Sequence, residues 1–423
     1  MVMISTGDWL LRAVVCLGAV FSMADGVWAQ SPTFSITLTG QSAIRSDVRA
    51  HAPATVPTIA SLLKGDVVFT NFEATIFDVK KGQSPPDGRF NDAVLAAFAG
   101  KPLGCDRTRL DDRPGPCLFL SPPEALDSLK TFGFNLLSLS NNHSWDLKVP
   151  GIENALEQAK RLDLGHAGIG HTVDGAAAPG YMHTPKGTVA LVAMASGFIA
   201  DGGSATATRP GVNELRVERN APNPEDAQRI LRSIRDAKQR AELVIVSQHN
   251  HVFDKPFATI MAERLPERLV PPEWLKKWTH AEVDAGADII VMHGAPLLHG
   301  VEIYRDRPIF FDLGNFIFQP CLVTVCVPNL DEPVLRAPPE EAVRESVVAY
   351  VEFEGKSLKS VRFRPIALDK IGQGQADTRG LPRPATGDQA HYILERLADL
   401  SRPFGTNIEA IGDSAEIKLK AGN

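Results

Sequence analysis

The sequence predicts an α/β fold, and three observations carry that reading. Short β-branched or aliphatic runs recur along the 423-residue chain, each followed by a polar loop and a helix-like stretch. The centres of those runs are nearly all apolar, as expected of strands covered on both faces by helices. Toward the C terminus the pattern changes to alternation, the period of a pleated strand.

Composition agrees with a substantial core. Hydrophobic residues make up 44% and charged residues 22%, with 34 Gly and 31 Pro, a balance that fits neither a disordered nor a fibrous chain. At about 150 residues per domain, the length allows two or three domains or one enlarged α/β unit. The formal charge of −6 leaves no general excess of cations to neutralise phosphates, so nucleic acid is not an expected partner. Aromatic residues are only 7% and scattered, which argues against a stacking platform for single strands.

Residues 1–29 read as a secretory signal. Arg12 precedes an apolar run over 13–23, and Val27-Trp28-Ala29 resembles a small-x-small cleavage site. Eleven apolar residues fall short of the roughly 20 that span a membrane. The residues before Cys16, Val14-Val15, lack the small side chain of a lipoprotein processing site. The expected location is secreted or periplasmic, the competing reading being a tether left uncleaved. Cleavage leaves Cys105, Cys117, Cys321 and Cys326 in an oxidising compartment, where local pairing, 105 with 117 and 321 with 326, is expected over four free thiols. Zinc held by cysteines is disfavoured, since no Cys-x-x-Cys spacing occurs.

Residues 30–370 form the expected main domain. Strands are predicted at 34–39 (FSITLT), 67–70, 135–140 (NLLSLS), 189–195 (VALVAMA), 243–247 (LVIVS), 289–292 and 309–312, with helices at 152–162, 224–237 and 274–285 from their 3.6-residue apolar period. Residues 346–353 (SVVAYVEF) and 358–367 should pair as a hairpin across Glu354-Gly355-Lys356. Residues 371–423 are expected to add a loop, over 372–388, and a helix at 389–400 packed on the same domain. Long loops at 80–123, 201–223 and 320–344 are expected over a functional face.

Polar residues able to do chemistry gather at predicted strand ends, where open α/β sheets place their sites. They are Asn71-Phe72-Glu73, Ser140-Asn141-Asn142-His143 with Asp146, Gln248-His249-Asn250-His251, and His293-Gly294 with His299. Asn71 and Glu73 share a strand face, as do His249 and His251. Imidazole, carboxylate and amide donors together suit a divalent zinc, manganese or iron ion. Downstream of Gln41, Arg45 and Arg49 flank Asp47, and paired guanidinium groups could hold a carboxylate-rich or phosphate-bearing substrate.

In order along the chain, Asn71-Phe-Glu73, Leu139-Ser-Asn-Asn142-His143-Ser-Trp-Asp146, Gly168-Ile-Gly170, Ser247-Gln-His249, His293-Gly294 and Leu313-Gly314-Asn315-Phe316 resemble the CapA-like poly-γ-glutamate capsule biosynthesis family, a branch of the calcineurin-like metallophosphoesterases. The resemblance covers roughly residues 34–370. It implies a four-layer α/β/β/α sandwich carrying one or two divalent ions at its strand ends. By position it assigns Glu73, Asn142, His143, His249 and His293 to the metal; from their own placement, His143, Asp146, His251 and His299 are expected as catalytic groups. Arg45, Asp47, Arg49, Asn71 and Asn315 complete the set as substrate contacts. Two positions depart from the family pattern. Gly40 is followed by Gln41 where the family commonly has Asp, and Ala295-Pro296 stand where a second His often follows the first.

The expected function is an exported metal-dependent hydrolase or transferase acting on capsule or poly-γ-glutamate-type anionic polymer or on a phosphoester, alongside envelope or capsule assembly proteins. The alternative is an exported binding or assembly subunit that keeps the scaffold without catalysis. Triad serine catalysis ranks a distant third, since no Gly-x-Ser-x-Gly elbow occurs, and P-loop nucleotide hydrolysis is excluded because Gly-x-x-x-x-Gly-Lys-Ser/Thr is absent.

Overall fold

Side-chain alternation along buried strands decides which residues meet across the molecule. A computed structural model describes residues 32–82, 118–255, 271–319, 342–369 and 378–419. The expected signal segment and all four cysteines of the expected disulfides lie outside these residues, as do most of the loops expected at 80–123 and 320–344.

Among the described residues, nine strands form the larger sheet. Its parallel part runs Thr33–Leu38, Val67–Asn71, Leu136–Ser138, Gly165–Ala167. Glu345–Glu354 joins antiparallel to Thr33–Leu38 and pairs in turn with Ser357–Leu368. A six-stranded sheet has the order Val301–Tyr304, Arg307–Phe310, Ile289–His293, Leu243–Asn250, Gly187–Ser196, Gly180–Thr184, with the four inner strands mutually parallel.

Alternate residues of both sheets share one apolar core: Phe34, Ile36, Leu38, Val67 and Phe69 lie in the same cluster as Val189, Leu191, Leu243, Ile245, Ile289 and Val291. The intervening residues face the other way. Val68 and Leu137 pack with residues of the helices Pro123–Phe132 and Lys148–Arg161. Val192, Val244 and Ile290 pack with residues of Pro224–Lys238 and Glu273–Ala285. Both faces of each central strand are therefore apolar, which is why those strands read as unbroken aliphatic runs. The result is a mixed α/β fold of several sheets and helices.

Helix boundaries follow local chemistry. Asn223 caps Pro224–Lys238, its side chain accepting from the backbone of Glu225 and Asp226, with Pro224 at the first helical position. The 345–368 hairpin forms as expected, turning through Gly355 at φ 56°.

The C-terminal segment differs from expectation. Within the expected loop at 372–388, Pro382–Pro384 pairs with Ile366–Leu368. A hairpin of Ile408–Ile411 and Ser414–Ile417, absent from the sequence reading, also joins Ser357–Leu368. Prolines obscured the first strand, because they cannot donate to a ladder and are tolerated only at an edge. The helix Gly387–Ser401 contributes Ile393, Leu394 and Leu397 to the core shared by the sheets. Pro32–Asn423 consequently forms one compact unit.

One buried ion pair ties that helix to the sheet. Arg396 Nη1 donates to Glu345 Oε2 at 2.8 Å, and both side chains are only 6% exposed. Removing one partner leaves the other charge buried, so Arg396→Ala should lower unfolding free energy by about 3–5 kcal/mol, measured by denaturant melts. A second test uses Asp226. Burial opposes its charge, but hydrogen bonds from Arg216 and Arg229 outweigh burial and hold its carboxyl below the ordinary value. A depressed carboxyl stabilises the fold above its unfolded pKa, and that contribution is lost as pH falls through the folded value. Asp226→Asn should therefore lower Tm at neutral pH, with the gap to wild type closing below about pH 4.

Candidate metal centre

The C-terminal ends of the parallel strands in both sheets meet, and the polar residues just beyond them bond across the gap. His249, fully buried near the end of Leu243–Asn250, is the centre of that contact. Its Nδ1 meets the Asn71 amide of the larger sheet at 2.9 Å. Its Nε2 lies 2.8 Å from Asn142 Oδ1, 3.0 Å from His251 Nε2 and 3.8 Å from Glu73 Oε1. Ligand atoms of Glu73, His249 and His251 all fall within 4.8 Å of one another.

Two glycines permit the close approach. At Gly294, φ is +122° and a Cβ would lie 2.3 Å from the Asn250 carbonyl oxygen. At Gly40 a Cβ would meet the Gly314 carbonyl oxygen at 2.3 Å. Any side chain at either position would push a strand end out of place.

The loop after Leu136–Ser138 is pinned from within. Asn141 Nδ2 donates to the Phe72 carbonyl at 2.7 Å, Ser144 Oγ donates to the Leu139 carbonyl at 2.6 Å, and the His143 amide donates to Asn141 Oδ1 at 3.0 Å. His143 Nδ1 is paired with Asp146 Oδ2 at 2.8 Å, and Phe119 covers the ring at 4.1 Å between centroids. Burial works against the imidazolium, but the charge and hydrogen bond of Asp146 prevail and raise its pKa.

Electrostatics separate the remaining groups. Burial, with neighbouring His residues, drives His249 well below the ordinary imidazole range, and burial takes His251 to about 3 and His293 to about 4. These rings are neutral at pH 7, so each carries a single ring lone pair. Burial pushes Glu73 up to about 7, and its Oε2 is buried without a hydrogen-bond partner. His293 donates Nε2–H to the Thr39 carbonyl at 3.1 Å, which fixes the tautomer and leaves Nδ1 as a buried lone pair with no partner.

Several sequence expectations are redistributed. His251, read as a catalytic group, sits inside the donor cluster, because alternate residues of one strand share a face. His143, read also as a ligand, has Nδ1 committed to Asp146. His293 is the in-register neighbour of His249 but stands outside the three-residue group. His299, read as catalytic, is outside it too, its amide donating to the Asp312 carbonyl at 2.9 Å. Asp47 and Arg49, expected at the substrate, are engaged with each other: Asp47 caps the short helix Val48–His51 and accepts from Arg49 Nε at 2.8 Å and Nη2 at 2.9 Å. Asn71 and Asn315, also expected at the substrate, are fully buried in structural hydrogen bonds. Arg45 does stand near His143. Its Nε donates to the Leu120 carbonyl, one residue from Phe119, and burial together with Arg379 lowers its pKa to about 9. The reading missed Asp312, whose carboxyl is pushed well up by burial and by Glu73. Its only sequence signal was a carboxylate closing an apolar run.

The family model described as bacterial capsule synthesis protein PGA_cap matches residues 35–320. The uncharacterized protein y4sH of Sinorhizobium fredii is 28% identical over 86% of this chain and 88% of its own length. The capsule biosynthesis protein CapA of Bacillus anthracis is 29% identical over 46% of this chain and 43% of its own. Among solved structures, the NAD nucleotidase NadN of Haemophilus influenzae aligns with TM-score 0.36 and 11% identity, covering 87% of this chain and 56% of that one. The family match spans most of the chain, and on that ground the protein belongs to the PGA_cap family of bacterial capsule synthesis proteins.

Proposed function

We propose that this chain is an exported metal-dependent hydrolase or transferase acting on an anionic polymer of the capsule or poly-γ-glutamate type, on a four-layer α/β/β/α scaffold. The observation that carries the reading is the convergence of Glu73, His249 and His251 on one another, with Asn142 Oδ1 2.8 Å from His249 Nε2, beside a histidine fixed by a carboxylate. For the scaffold, support comes from the apolar core shared by both sheets and the helix-bearing cluster on the far face of each.

Glu73, His249, His251 and the Asn142 oxygen are the residues that would hold a divalent ion, and their nitrogen and oxygen donors suit zinc, manganese or iron. The set passes a test of fit: Glu73 Oε2 is a buried acceptor with no hydrogen bond, the condition that an ion relieves. When bound, the ion supplies Lewis acidity toward a phosphoryl or acyl oxygen.

The protein's own groups supply the rest. Asp146 holds His143 Nδ1 and favours the charged ring, so the proton available to a leaving group is at Nε2. Asn71 fixes the His249 ring through Nδ1, which aims Nε2 at the cluster. Arg45 places positive charge near His143, where an anionic chain would approach. The name of the Bacillus anthracis relative and the family description support a capsule polymer as substrate. The second reading, a binding or assembly subunit without catalysis, is favoured by the neutral Gln41 at a position the resemblance expects to be acidic.

Metal analysis of protein purified without chelator, paired with assays on a phosphoester and a γ-glutamyl amide, tests the proposal. His249→Ala should lose both metal and turnover with unchanged circular dichroism. His143→Ala should keep the metal while turnover falls by about 10²–10⁴-fold. Metal retention in wild type with no turnover of either substrate supports the binding-subunit reading instead. Export is checked separately by mass spectrometry of secreted protein, which should begin near Gln30.

A further inference from the structure

Gln41 stands beside the metal-type cluster, yet both ends of its side chain are already engaged. It is buried, 2% exposed. Its Nε2 donates to Asn315 Oδ1 at 3.1 Å, and its Oε1 accepts from the Gly294 amide at 3.2 Å. Asn315 Nδ2 in turn donates to the Val343 carbonyl at 2.8 Å. The backbone adds to the same fastening: Gln41 N–H donates to the Gly314 carbonyl at 2.9 Å, and Gln41–Ala43 pairs parallel with Asn315–Phe318. Gly294 directly follows His293, whose Nε2–H is spent on Thr39. The flank made by residues 39–41, 293–294 and 314–315 is thus knitted together by neutral hydrogen bonds.

We propose that the site takes a single divalent ion, and that Gln41 acts on its flank as a clamp between strand ends rather than as a ligand. The inference rests on the metal-centre reading above and specifies its stoichiometry. Ions in two-metal sites lie about 3.5–4 Å apart. At that separation the repulsion between two dications is large in a buried cavity, and anionic ligands must offset it. Here the donor cluster contains one carboxylate, Glu73, and among the described residues no second group of three His, Cys, Asp or Glu donors lies within such reach. Asp312, the other buried carboxyl on this side, accepts the Gly314 amide at 2.7 Å and so is occupied in holding the same segment. An amide at position 41 adds no charge, and its oxygen is held toward the Gly294 amide as an acceptor.

Titration of the chelator-stripped full chain with Zn²⁺ or Mn²⁺ tests the count, read by isothermal calorimetry and native mass spectrometry. Wild type should bind one ion per chain. Gln41→Ala should still bind one, while Glu73→Gln and His249→Ala should each weaken binding at least tenfold. Two ions per wild-type chain would overturn the single-ion inference and leave the metal-centre reading standing. Loss of the ion in a folded Gln41→Ala protein would overturn the clamp and make Gln41 a ligand. Should that variant fail to fold, the wild-type count still decides the stoichiometry. No binding in wild type would overturn this inference together with the metal reading beneath it.

Discussion

The site depends on one imidazole. His249 belongs to the smaller sheet, yet its two nitrogens bond to Asn71 of the larger sheet and to Asn142 in the loop that follows the next strand. The Asn71 contact is buried away from bulk water, so that hydrogen bond is stronger, and leaving it unmet costs more, than on a surface. The ring cannot be charged there without opposing burial and its His neighbours. A neutral, oriented ring at a sheet-to-sheet junction is therefore a consequence of packing before it is a feature of chemistry.

Charge is distributed around that ring with the same economy. Burial raises the Glu73 carboxyl and lowers the His251 and His293 rings, while Asp146 raises His143, slightly removed from them. Separating a proton-holding imidazole from neutral donor imidazoles depends on where the one nearby committed carboxylate lies. Asp146 achieves this through a short loop whose Asn and Ser side chains bond their own backbone, so the His143 ring is set by local geometry as well as by the core.

Support for the site extends far along the chain. Gln41 links the first strand to the segments at 294 and 315, and Arg396 on the helix Gly387–Ser401 pairs with Glu345 at the start of a strand beside Thr33–Leu38. Residues from 51 to 274 positions apart thus set the relative placement of the strand ends. Breaking a polar link of this kind costs most when both partners are buried, as both pairs are, because the group left behind has no partner.

Much of this was legible in the sequence. Strands buried on both faces announce themselves as aliphatic runs, so the strands around 34–39, 67–70, 189–195, 243–247 and 289–292 lie close to where period and composition put them, as do the helices near 152–162, 224–237 and 274–285. Two-residue periodicity likewise put His249 and His251 on one face, and the Asn-Asn-His order marked the loop that carries His143. Sequence could not decide which donors share a point, because that depends on how two sheets stack and on which ring nitrogen a distant carbonyl claims. Thr39 claims one nitrogen of His293, Asp146 claims one of His143, and Asp47 claims Arg49. The strand Pro382–Pro384 and the hairpin at 408–417 were hidden for a related reason: short edge strands draw their stability from the strand they join, Ser357–Leu368, and leave little pattern of their own.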